Sequence, residues 1–80
     1  MRNPVDHIMS THQVNDREFS LAVGVPHVTV WRVRKGMTKT INPEILKALE
    51  EMGYDAEIIL EEYQKWREDQ SAEMRKRLIR

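Results

Sequence analysis

The side chains best suited to chemistry in this 80-residue chain are cations gathered in one place. The stretch GVPHVTVWRVRKG, residues 24–36, carries Arg32, Arg34 and Lys35, and Lys39 follows in the next loop. Residues 27–39 hold these four bases and no acid, although the whole chain balances 13 Lys/Arg against 13 Asp/Glu. Bare cations on a short element suit the phosphates of a polyanion, and an Arg on a helix suits the O6 and N7 edge of guanine. The zero net charge hides a split. Residues 1–40 hold six bases and three acids, and residues 41–80 hold seven and ten. Residues 44–73 hold ten acids against three bases. A positive element on a negative remainder implies a polyanion met in one orientation. Charge alone fits an unevenly charged solvated surface equally well.

Other chemistries find little support. His7 and His12 stand five apart and His27 is distant; no Cys or carboxylate completes a metal set, so no metal is expected. Ser10, Ser20 and Ser71 have no base and orienting partner that the sequence can suggest. There is no Gly-rich phosphate loop. Acids four residues before bases, as in Glu61 with Lys65 and Glu73 with Arg77, are ordinary helix support. The expectation is a protein without enzymatic activity or cofactor, and no small-molecule ligand is evident.

The elements that must position the cations are helices. Asn3-Pro4 is a cap followed by a first-turn proline, with Val5, Ile8, Met9 and His12 on one face. Asn15 with Glu18 forms a capping box, and Val14 with Phe19 a hydrophobic staple, for a short second helix ending at Gly24. Val25-Pro26 opens a third helix with Val30 and Val33 inward, which Gly36 stops. VTVWRV also alternates with period two, so a strand competes there; its flanks and length favour helix. Asn42-Pro43 opens a fourth helix, with Ile45, Leu46, Leu49 and Met52 inward, and Gly53 stops it. Asp55 caps a fifth that runs at least to Gln70 and carries Ile58, Ile59, Leu60, Tyr63 and Trp66.

The chain is thus read as a single all-α domain of residues 1–70 with a C-terminal helix over 55–80. A core this small leaves little stability, and without cysteines no disulfide adds to it, so pairing with a second copy is the natural supplement. No apolar run reaches membrane-spanning length and the first ten residues lack a signal-peptide core, so no membrane association and a cytoplasmic location are expected.

Two short helices around a Gly-centred turn make a helix-turn-helix unit, here residues 16–36. Such a unit needs a small residue where the helices cross, Ser20, and a glycine four residues on, Gly24. It also needs apolar pins, here Phe19, Val23, Val25, Val30 and Val33. FSLAVGVPHVTVWRVRKG followed by INPEILKALEEMGY resembles the DNA-binding domain of lambda-repressor-like proteins, the Cro and XRE group, over roughly residues 4–60. The resemblance implies a five-helix domain, usually a homodimer, that binds operator DNA with its third helix in the major groove. It places His27, Val28, Trp31 and Arg32 against base edges and Thr29 near phosphates. The chain departs from the family pattern at Ser20, Pro26, Asp16 and Arg34. Those positions commonly hold Ala, Ser or Thr, Gln, and Glu.

Beside that resemblance, Arg32 is read either as a guanine-pairing residue or as one on phosphate or solvent. Arg34, Lys35 and Lys39 suit phosphates, and Arg17 stands in where Asp16 would repel one. Trp31 faces out, against a thymine methyl or over Val28. Ile59, Tyr63 and Trp66 are assigned to a dimer interface or to closing the core. The final RKRLIR is read as a disordered tail in preference to a DNA contact. The function expected is sequence-specific binding of double-stranded DNA as a homodimer, regulating transcription as a repressor, of the kind carried by phages or mobile elements. The rivals are an antitoxin-like adaptor for a basic protein and a DNA-packaging or recombination accessory factor.

Overall fold

A computed structural model describes residues 2–79. Five helices follow in order: α1 (Pro4–Thr11), α2 (Asp16–Val23), α3 (His27–Arg34), α4 (Pro43–Glu51) and α5 (Ala56–Leu78). No strand occurs among the described residues. The VTVWRV stretch is helical despite its β-branched residues, because Val30 and Val33, three apart, are both buried in that geometry.

Local chemistry sets most helix starts. The Asn3 side chain accepts from the backbone N–H of Val5 and Asp6, and Asn42 accepts from Glu44, each ahead of a first-turn proline. Asn15 and Glu18 close a reciprocal capping box on α2. Asp55 accepts from Glu57 and Ile58. The turn between α2 and α3 is three residues, Gly24 to Pro26. Gly24 has φ 87°, and its N–H donates to the Ser20 carbonyl at 2.8 Å. That left-handed conformation costs an L side chain about 1 kcal/mol or more.

The core draws on all five helices. Val5, Ile8 and Met9 of α1 meet Phe19, Val30, Val33, Ile45 and Leu49, and Tyr63 of α5 closes the cluster with no exposed surface. Its hydroxyl donates to the Thr38 carbonyl at 2.9 Å and lies 3.1 Å from the Thr38 hydroxyl, which ties the loop after α3 to α5.

Several expectations are corrected. Met52 is 40% exposed, so the apolar face of α4 is narrower than the sequence implies. His12 is exposed at the end of α1, where its Nε2 lies 3.0 Å from the Tyr54 hydroxyl. The C-terminal segment is helix to Leu78, in place of a disordered tail; Arg80 lies outside the described residues.

Candidate nucleic-acid interface

The residues of α3 and its C-cap Lys35 divide into two faces. Val30 and Val33 point into the core with 0% and 1% exposure. His27, Trp31 and Lys35 recur every four residues on the opposite side, flanked by Val28 and Arg32, and all five are exposed. Thr29 is half-buried beside them. The exposed face therefore carries two full cations, an indole and an imidazole, and no acid. No carboxylate in residues 19–43 opposes them along the chain. Among the described residues, Arg17, Arg32, Lys35 and Lys39 form no ion pair, so all four remain available to an outside anion.

Arg34 is different, and its expected phosphate contact is corrected. Its guanidinium is taken by two carboxylates of its own domain. Nε and Nη2 both donate to Asp6 Oδ1, and Nη1 donates to Asp16 Oδ1 at 2.6 Å. The hydrogen bond from Arg34 to Asp16 raises the guanidinium above its ordinary value; partial burial opposes this, and Asp6 adds to the rise. A raised cation contributes stability at every pH below the ordinary arginine value and loses it only in strong alkali. Asn3 completes the arrangement. Its side-chain N–H groups donate to the carbonyls of Val33 at 3.1 Å and Arg34 at 3.0 Å, the open end of α3. Asp16 and Arg34, two departures from the repressor-like pattern, are thus one ion pair. Opposite charges appearing at both positions were the signal for it.

The helix after the turn is held from a second side. Gly36 has φ 72°, and a Cβ built there would lie 2.6 Å from the Trp66 ring. Arg67 Nε donates to the Gly36 carbonyl at 2.9 Å. The Trp66 ring lies 5.9 Å from Tyr63, tilted by 36°. Of the two readings of Ile59, Tyr63 and Trp66, dimer interface or closing the core, the packing favours the core. Ile59 and Tyr63 are covered by their own domain, and Trp66 is half-buried against Gly36. The periodic apolar stripe on α5 closes the core.

Arg2, Lys35, Trp31 and Trp66 line a cleft of about 470 Å³ over the Arg34 ion pairs. Arg2 donates to the Ser10 hydroxyl at 3.0 Å and lies 3.6 Å from Asp6 Oδ2. Among the described residues no group of His, Asp and Glu is gathered to hold a metal, and no helix is long and apolar enough to cross a membrane. No family model matches the chain, and neither the curated proteins nor the solved structures give a match.

Proposed function

We propose that this protein binds duplex DNA through the exposed face of α3, as a lambda-repressor-like helix-turn-helix regulator of transcription, acting as a repressor. The observation that carries the reading is the contrast within α3. Arg32, Lys35, Trp31, His27 and Val28 stand free on one face, while the core and the Arg34 ion pairs fix the helix from behind. A helix about 10–12 Å across fits the major groove of B-DNA, about 12 Å wide. Arg32 is the natural guanine reader, with Val28 and Trp31 offering apolar contact to a thymine methyl. Arg17 at the start of α2, Lys35 just past the end of α3 and Lys39 in the following loop are exposed, form no ion pair among the described residues, and suit the phosphates. Tyr63 holds the Lys39 loop in place through Thr38, so this cation is presented by a fixed backbone.

The experiment is a salt titration of DNA affinity. Log affinity should fall with log salt at about −0.9 per phosphate neutralised. Lys35→Ala should weaken all sequences alike and flatten the slope by about one per subunit. An affinity indifferent to salt would remove the reading.

A further inference from the structure

Both tryptophans of the chain meet in one place. Trp31 from α3 and Trp66 from α5 line the same cleft of about 470 Å³, together with Arg2, Arg34 and Lys35. That volume lies within the roughly 300–1,000 Å³ usual for small-molecule sites. The lining is drawn from α1 and the segment before it, from α2, from α3 and its cap, and from α5, so no spacing in the sequence announces it.

Much of the cleft is set before anything enters it. The edge of the Trp66 indole sits on Gly36, and its ring lies 5.9 Å from that of fully buried Tyr63. The Arg34 guanidinium is held by Asp6 and Asp16. A wall and a floor already in place spare an occupant the entropy of ordering them. Trp31 is 42% exposed and the Arg34 side chain 31% exposed, so both can be reached from the cleft.

The charges decide what fits. The lining holds three cations and two carboxylates. Arg34 bonds to both carboxylates, and Arg2 lies 3.6 Å from the second oxygen of Asp6. The two arginines therefore match the two acids, and the Lys35 ammonium is left over, with no ion pair among the described residues. Arg34 spends three of its guanidinium N–H groups on Asp6 and Asp16, and the rest remain as donors. Indoles beside acids also suit a cation. Here both acids already hold an arginine.

We propose that this cleft binds a small planar aromatic carboxylate, with its ring against Trp31 and Trp66 and its carboxylate on Lys35 and the remaining Arg34 donors. Ring packing on the indoles adds to the area buried, and the charged hydrogen bonds fix the orientation. One unmatched cation selects a single negative charge, and so a carboxylate in preference to a doubly charged phosphate. Trp31 and Lys35 also belong to the exposed face of α3, so an occupant and DNA draw on the same cation. That consequence rests on the DNA reading; the site itself does not, and its test contains no DNA.

The test is titration of the full, isotope-labelled chain with naphthoate, following the two indole N–H signals by NMR. Both signals shift and saturate together, with a dissociation constant of about 1 mM or below, the scale for a ligand of this size. Lys35→Gln and Trp31→Ala, both at exposed positions, each weaken binding at least about fivefold, the Trp66 signal reporting in the second. Lys47→Gln on α4 makes the same charge change away from the cleft and binds as the unaltered chain does. Neutral naphthalenemethanol binds at least about tenfold more weakly than naphthoate. Circular dichroism checks the fold of each variant, and the analogues are tested on the unaltered chain, so the outcome does not hang on a variant that folds poorly. The proposal is overturned by indole signals that do not shift or do not saturate. It is equally overturned by naphthalenemethanol or tetramethylammonium binding as tightly as naphthoate, or by a loss at Lys47→Gln equal to that at Lys35→Gln.

Discussion

The two sides of α3 have opposite roles in the same eight residues. Arg32 and Arg34 are two positions apart, with the same guanidinium and the same helix. Arg34 turns back to Asp6 and Asp16 and its charge is spent within the domain, whereas Arg32 has no described partner and stands in solvent. A cation count on α3 therefore overstates what an outside anion would meet. The neutralised arginine sets the helix, with Asn3 and Trp66, and the free one stands clear in solvent.

Substitutions separate the two sides of α3. The largest effect is expected at Trp66→Ala, which removes the ring seated on Gly36 and beside Tyr63. About 2–4 kcal/mol of fold stability should be lost, since Trp66 is only partly buried, as read by denaturant melts. Unchanged stability would show that α5 does not hold the end of α3. Next is Arg34→Ala, which leaves Asp6 and Asp16 without the cation between them, at about 1–3 kcal/mol. Asp16→Asn in the same chain should return part of that loss, which a purely packing role for Arg34 would not do. The two glycines separate strain from crowding. Gly24→Ala meets nothing within 4 Å and should cost about 1 kcal/mol for its positive φ, while Gly36→Ala adds a clash with Trp66 and should cost more. Equal losses at the two sites would mean that Trp66 yields freely. The smallest effect on stability belongs to Arg32→Ala, within about 0.5 kcal/mol, although it should cost DNA affinity about 1–3 kcal/mol per half-site.

The helix starts were legible because their causes are local. Asn3-Pro4, Asn15 with Glu18, Asn42-Pro43 and Asp55 each act on backbone within three residues, and all four cap as their spacing implies. Gly24 was legible for the same reason. Arg34 was not, because its partners lie 28 and 18 positions away and only packing of α1 and α2 brings them near. Nor could the apolar stripe of α5 say what covers it: the same Ile59, Tyr63 and Trp66 spacing serves an interface or a core, and the domain itself covers Tyr63 completely. Periodicity also overfilled the core at Met52, which shares a helical face with buried Leu49 yet is 40% exposed. The exposed face of α3 was legible as a pattern, since β-branched Val30 and Val33 mark the inward side and the residues between them must turn out.

The most direct measurement is selection of bound sequences from random duplex DNA, run in parallel with the unaltered chain and with Arg32→Ala. A two-fold-symmetric consensus is expected from the first. The second should lose a preference at one base pair per half-site, with the thermal melting of the two proteins unchanged. No enrichment with the unaltered chain, or the same consensus from both proteins, would contradict the claim that the free face of α3 reads DNA through Arg32.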